Sequence, residues 1–237
     1  MATNSKVVVF DLDGTLLDTL LDISLAANAA MTELHPTLPC YLHPEVRLMI
    51  GDGARVLLQK MLQGRGITSA HALDLAHNLF LSKYAASIAK HTASYDGVMQ
   101  GLERIAQTNP LVVMCVCTNK PHELAVELLH HSPLAKYFSP VDLFCTGAKP
   151  SVPKKPNTEH LVHAIEQTGK IGVINPNNVL MVGDGRNDIL VAKSLGCASI
   201  AVTYGYGAEA ELAGLEPNHV AHTFEQATEQ ILTWISS

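Results

Sequence analysis

Three short apolar runs, each ended by an acidic or hydroxyl-bearing residue, constrain this chain more than any other feature. Lys6-Val7-Val8-Val9-Phe10 stops at Asp11, Leu111 to Cys117 stops at Thr118, and Asn178-Val179-Leu180-Met181-Val182 runs into Gly183-Asp184. Runs that are apolar at nearly every position, not at alternate ones, predict strands buried on both faces, as in a parallel sheet covered by helices. Weaker strands are expected at Asp142 to Cys145, Ser199 to Val202 and Val220-Ala221. Helical patterns fall between them, at Met99 to Gln107, Pro121 to His130, Asn157 to Thr168, Asp188 to Leu195 and Glu225 to Trp234. This alternation predicts an α/β fold: a Rossmann-like, doubly wound, mostly parallel sheet with helices on both faces.

The alternation fails between the first strand and Met99. There Ile23, Ala27, Ala30 and Leu34 recur at helical intervals, as do Leu73, Ala76, Phe80, Tyr84 and Ile88. Pro44 suits the first turn of a short helix running to Met49, and Ala54 to Gln63 resumes after Gly51-Asp52-Gly53. An all-helical cap inserted over residues 15–92 is the simplest account, leaving 1–14 and 93–237 as the α/β core, with Tyr95-Asp96-Gly97 as the return hinge. Ligands of open α/β sheets bind beyond the carboxyl ends of the strands, so an insertion after the first strand is expected to roof the site.

Composition removes several partners. The formal charge is -6 and no basic stretch offsets it, which argues against nucleic acid. The longest apolar run, Leu111 to Cys117, is far too short to span a bilayer, and Val7 to Phe10 is too short for a secretory signal, so no membrane partner and a cytoplasmic location are expected. Five Cys without a C-x-x-C pair read as buried free thiols. The pairs His160/His163 and His219/His222 lack a third ligand for zinc.

Chemistry gathers at the ends of the three strong strands. Asp11 and Asp13 are two apart, which in extended geometry sends both carboxylates to one side, where they could share a divalent cation or divide nucleophilic and acid/base work. Taken alone, such a pair also serves as a turn or cap. Gly14 permits a sharp exit from the strand. Asp184 and Asp188 flank a helix start and suit a hard cation, although Asp188 could simply cap its helix. Four carboxylates from two strand ends would repel unless a cation or protons intervened. Thr118 and Asn119 close the second strand where hydroxyl and backbone N–H groups can meet a phosphoryl oxygen, or serve only as a cap. Lys154-Lys155 precedes a helix and can bring one ammonium over the same place while the other faces solvent. Lys155 is preferred to Lys149 because a helix starts directly after it. Nucleophile, cation site, donors and lysine together describe phosphoryl transfer.

In order and spacing, D-L-D-G-T-L-L-D-T at Asp11 to Thr19, Thr118, Lys155 and G-D-x-x-x-D at Gly183 to Asp188 resemble the four motifs of the haloacid dehalogenase-like superfamily. The resemblance implies that Asp11 is the nucleophile and Asp13 the acid/base. It also implies Mg2+ held by Asp11, the Asp13 backbone carbonyl and Asp184, with Asp188 supporting it. Asp13 argues against the dehalogenase branch. I-G-D-G-A at Ile50 to Ala54, T-N-K-P at Thr118 to Pro121 and T-Y-G-Y-G at Thr203 to Gly207 further resemble the bacterial phosphoglycolate phosphatases. That likeness makes Gly51, Asp52, Gly53 and Arg55 of the cap candidates for selectivity toward a small anionic phosphomonoester. The chain departs from it with Gly185 in place of Ser, Asp52 in place of Asn and Asp96 in place of Pro. A broad small-molecule or sugar phosphatase and a phosphomutase share the same core motifs. A monomer or weak homodimer is expected.

Overall fold

The computed structural model describes residues 5–108 and 111–237. Its main sheet has six parallel strands in the order β5-β4-β1-β6-β7-β8: β1 (Val7–Phe10), β4 (Val113–Pro121), β5 (Cys145–Ala148), β6 (Val179–Gly183), β7 (Ala198–Val202) and β8 (His219–Ala221). The chain first builds outward from β1 through β4 to β5, then returns to the other side of β1 with β6. Right-handed crossovers therefore put α5 (Val98–Thr108) and α6 (His122–His130) on one face and α8 (Thr158–Gln167) and α9 (Arg186–Leu195) on the other. The last helix, α11 (Phe224–Ser236), packs on α5, while α10 (Glu209–Gly214) follows β7. All four residues of β1 are buried, which explains its lack of alternation.

Register carries the consequence for function. Phe10 pairs with Val116 on one side and Val182 on the other. The three apolar runs thus end at one level of the sheet, and their polar successors share one rim. The Asp11 N–H donates to Val182 O at 2.9 Å, extending this alignment one residue beyond β1.

The insertion forms four helices, α1 (Leu20–Leu34), α2 (His43–Arg47), α3 (Ala54–Gln63) and α4 (Ala70–Ala86). They enclose a second core in which Ala27, Ala30, Leu58, Met61, Phe80 and Tyr84 meet. Leu124 of α6 belongs to that cluster, so the cap is seated on the sheet domain by apolar contact. No helix among the described residues is long and apolar enough to cross a membrane.

Several sequence expectations need correction. A two-residue antiparallel ladder, β2 (Leu17–Asp18) with β3 (Ala93–Ser94), joins the two ends of the insertion where no strand was expected. Strands this short leave no periodicity to read. The segment expected as a strand at Asp142 to Cys145 is instead a helical turn, α7 (Val141–Phe144), led by Pro140 with Asp142 in its first turn; pairing starts only at Cys145, opposite Val116. The second strand extends past Cys117 to Pro121, which pairs with Ala148 and acts as the N-cap of α6, so the helix begins one residue later than expected. Cys40 is exposed, unlike the four buried free thiols.

Gly101 shows how tightly α5 meets α11. A Cβ there would lie 2.3 Å from Thr228 Oγ1 and 2.6 Å from the Phe224 ring. Gly→Ala inside a helix ordinarily stabilises by about 0.5–1 kcal/mol, but this overpacked site reverses the sign. Gly101→Ala is expected to lose about 1–3 kcal/mol, read as a lower urea midpoint with an unchanged slope.

Candidate active site

β1 delivers Asp11, β4 delivers Thr118, and the β6–α9 turn delivers Asp184 and Asp188 to the shared rim. Asp11, Asp184 and Asp188 can each present an oxygen within 4.8 Å of the others, the one grouping among the described residues that could hold a metal. Gly14 makes this approach possible: its φ is +86°, and a Cβ would sit 2.3 Å from Asp184 Oδ2.

Neighbouring donors orient each carboxylate. Asp184 accepts from the Thr15 hydroxyl at 2.8 Å and the Tyr206 N–H at 2.7 Å. Asp188 accepts the Gly185 N–H at 2.9 Å, closing the first turn of α9. The Lys155 ammonium lies 2.7 Å from Asp188, 3.1 Å from Asp11 and 2.5 Å from Cys117 O, with its side chain 1% exposed. Lys155 is therefore the lysine brought over the acidic cluster. Lys154 does not face solvent as expected but donates to Asp52 O of the cap at 2.6 Å. His160, unsuited to a zinc site, supports Lys155 by accepting its backbone N–H at 3.2 Å.

One ammonium does not offset three carboxylates. Burial pushes the Asp11 carboxyl up to about 7; Lys155 pulls it down, while Asp188 and Asp184 push it up. Burial and the neighbouring Asp188 raise Asp184 to about 6. Lys155 is held well above the ordinary lysine range because Asp11 and Asp188 outweigh its burial. Acidic oxygens short of positive charge fit a hard divalent cation.

Asp13 lines the same cleft, but its carboxylate is not part of that cluster. It accepts from the Thr19 hydroxyl at 2.7 Å and from the Lys120 ammonium at 3.0 and 3.2 Å. The structure thus separates the two motif carboxylates by partner: Asp11 beside Lys155 and Asp13 beside Lys120. Thr118 is buried next to Asp11 in a small compartment that Ile23, Ile50, Leu57 and Phe80 line on the cap side. The Asn119 amide bridges core and cap, donating to Lys155 O at 3.0 Å and Gly51 O at 3.1 Å.

The cap turn reaches the cleft, but its candidates separate. Gly51 and Gly53 line the compartment beside Thr118 and Asn119. Asp52 lines the adjoining cleft of about 260 Å3, where its carboxylate accepts from Lys60 at 2.8 Å and Asn187 at 3.0 Å. Burial raises the Asp52 carboxyl, but the Lys60 and Asn187 hydrogen bonds prevail and hold it below the usual range. Arg55 is not among the residues lining either space. Its guanidinium pairs with Asp74 at 2.6 Å on the exposed side of the cap, because its position on α3 turns it away from the turn preceding it. At Gly185 a Cβ would crowd Asp188 Oδ2 at 3.3 Å, so a side chain there needs that carboxylate to give way slightly.

Sequence reasoning missed Lys120, Tyr84, Thr15 and Thr19, and gave Tyr206 no definite role. Tyr206 joins three parts of the site: its N–H holds Asp184, while its hydroxyl accepts from Thr19 N at 2.7 Å and donates to Asp18 at 3.1 Å. Lys120 stood in the T-N-K-P segment, but nothing in the spacing showed which carboxylate it would meet.

A parallel sheet carrying an aspartate cluster and a buried lysine at its carboxyl rim, roofed by an inserted helical cap, defines a hydrolase of the haloacid dehalogenase-like architecture. The chain belongs to this family: the model of the haloacid dehalogenase-like hydrolases matches residues 8–202. A phosphoglycolate phosphatase of Vibrio parahaemolyticus is 36% identical over 230 residues, 95% of this chain and 96% of that protein. One from Chromobacterium violaceum is 35% identical over 224 residues, covering 93% and 95% of the two chains. The crystal structure of a predicted phosphoglycolate phosphatase from Haemophilus somnus superposes with a TM-score of 0.83 at 27% identity, covering 98% of this chain and all of that one.

The raised carboxyls predict how cation binding depends on pH. A carboxyl whose folded value exceeds its unfolded value stabilises the fold while protonated and loses that contribution as pH rises through the folded value. Without metal, the cluster should therefore cost stability progressively from about pH 4 to pH 7. Added Mg2+ or Mn2+ should raise Tm more at about pH 8 than at about pH 5.5, where protons compete for the same oxygens. A pH-independent shift, or the same shift in Asp184→Asn, would exclude this cluster as the cation site.

Proposed function

We propose that the chain is a Mg2+-dependent phosphomonoester hydrolase that works through an aspartyl phosphate on Asp11 and prefers phosphoglycolate. The observation carrying this reading is the division of the two motif carboxylates, one in the acidic cluster beside Lys155 and the other held outside it by Lys120 and Thr19. Residues 15–92 act as the cap and residues 1–14 with 93–237 as the core.

Asp11 forms a bond to phosphorus as the ester P–O bond breaks, and protonated Asp13 gives its proton to the departing alkoxide. Water then attacks the phosphoryl group while the Asp13 carboxylate takes its proton; the Asp11–phosphorus bond breaks and the nucleophile is restored. Lys155, the Thr118 hydroxyl and the Asn119 N–H take the charge on the phosphoryl oxygens. Mg2+, held by Asp11, the Asp13 backbone carbonyl, Asp184 and Asp188, would offset the negative charge that otherwise keeps nucleophile and phosphate apart. The cap over the rim limits stray water.

Phosphoglycolate is favoured by the two relatives above and by the small size of the compartment beside Asp11. Its carboxylate would meet the cap through Gly51 and Gly53 and the unpaired N–H groups at the start of α3. Arg55 is assigned no substrate contact, and Asp52 has its charge already met by Lys60. A broader small-molecule phosphatase is the second reading, favoured by the apolar walls of Ile23, Ile50, Leu57 and Phe80.

Asp11→Asn should fold normally and lose at least about a thousandfold in turnover, because an amide of equal size cannot attack phosphorus. Asp13→Asn should lose about a hundredfold or more on alkyl phosphates. Near wild-type phosphate release from a correctly folded Asp11→Asn would overturn the mechanism.

A panel of phosphomonoesters compared by kcat/KM tests the substrate. Phosphoglycolate should lead it, and Arg55→Ala should change its kcat/KM by less than about twofold, as for other exposed ion pairs. Equal values across alkyl phosphates would support the broader phosphatase instead. Phosphate release without a bisphosphate primer would separate both from a phosphomutase.

A further inference from the structure

The compartment beside Asp11 contains a second buried ammonium, that of Lys120, which the mechanism above does not use. Its Nζ lies 3.0 and 3.2 Å from the two Asp13 oxygens, 2.8 Å from the Tyr84 hydroxyl and 4.3 Å from the centroid of the Tyr84 ring. Asp13 and Lys120 belong to the sheet domain, whereas Tyr84 comes from α4 of the cap. Tyr84 is fully buried and stacks on Phe80 at 5.6 Å, so its ring is fixed within the cap's own core.

A buried ammonium needs partners for its protons, and one lost partner leaves a desolvated charge to be met by water. Here the Asp13 carboxylate supplies one side and the hydroxyl and ring face of Tyr84 the other. The cap side of the compartment, with Ile23, Leu57 and Phe80, and Leu124 of the core offer no other polar side-chain atom, and Thr118 and Asn119, which also line it, make no hydrogen bond to the Lys120 ammonium. Without Tyr84, Lys120 would keep Asp13 as its only hydrogen-bonding side chain, and the orientation of Asp13 would rest on Thr19 and a half-satisfied ammonium.

We propose that Tyr84 is a positioning residue for the acid/base carboxylate, acting through Lys120, so that Asp13 takes up its working orientation only beneath a seated cap. The proposal rests on the reading of Asp13 as acid/base. It assigns Tyr84 more than the core-packing role that its place in an apolar helical stripe suggests. The hydroxyl carries the hydrogen bond; the ring carries the packing and part of the attraction.

Tyr84→Phe separates these contributions, since it retains the ring and removes only the hydroxyl. The comparison pairs an alkyl phosphate, whose leaving oxygen needs a proton, with p-nitrophenyl phosphate, whose leaving group departs without one. Single-turnover cleavage of the alkyl ester should fall about tenfold to a hundredfold, as expected for a misplaced catalytic group. The nitrophenolate burst should fall far less, and both rates are compared below the Tm of the variant, which the lost partner of the buried ammonium lowers. Lys120→Gln should produce the same split and, combined with Tyr84→Phe, add little further loss.

Equal losses on both esters, or no loss on either, would overturn the positioning role. Asp13→Asn serves as the control. If that variant shows no split between the esters, the acid/base reading fails; if it shows the split and Tyr84→Phe does not, only the proposal fails.

Discussion

The Lys155 ammonium is the interaction on which the rest of the site depends. It lies in the interior between Asp11 and Asp188 and also donates to Cys117 O, thereby joining the ends of β1, β4 and the β6–α9 turn. Burying a lone ammonium would be costly, and so would burying the carboxylates without it. Its own anchoring is equally specific: the Lys155 N–H is bonded by Asn119 Oδ1 at 2.9 Å and His160 Nδ1 at 3.2 Å. Burial, followed by the Lys155 charge, lowers His160 to about 4, so the imidazole is neutral and can accept near physiological pH.

Besides the apolar seat at Leu124, polar groups around the cleft mouth join cap and core. Asn187, between the two aspartates of the β6–α9 turn, reaches Gly51 O at 3.2 Å and Asp52 at 3.0 Å. Lys154 holds the same cap turn from the loop before α8, and Arg47 of α2 donates to Gly205 O beyond β7. Each of these bonds starts or ends beside a residue of the acidic rim. The groups that place the cap thus also shape the space it covers.

The fold was legible where composition determines burial. Val7–Phe10 and Val179–Gly183 are apolar because both sheet faces are covered, so their continuous runs could be read without knowing what covers them. The acidic cluster was legible because Asp11 and Asp184 directly follow those runs, and parallel pairing sends strand ends to one edge. The ladder of Leu17–Asp18 with Ala93–Ser94 was not legible, since its partners are remote in sequence and each strand has only two residues. Arg55 illustrates a different limit: adjacency to Gly53 suggested a place in the cleft, but one helical step turned its guanidinium to Asp74. Tyr84 lay in an apolar stripe whose packing role concealed its hydroxyl, and T-N-K-P did not show which carboxylate Lys120 would meet. Periodicity registers what a residue buries, not what its terminal atom bonds.

The β2–β3 ladder has a consequence for how such a chain can diversify. Entry and exit strands lie side by side, with Leu17 opposite Ser94 and Asp18 opposite Ala93, and Asp22 accepts the His91 N–H and Thr92 hydroxyl just beyond. To the sheet domain, everything between Asp18 and Ala93 is one closed loop, whatever its length. Doubling a flexible loop costs only about 0.6 kcal/mol of closure entropy. Roofs of different size and lining can therefore be exchanged at this stem at little cost in loop closure, provided that the replacement still meets Lys120 as Tyr84 does.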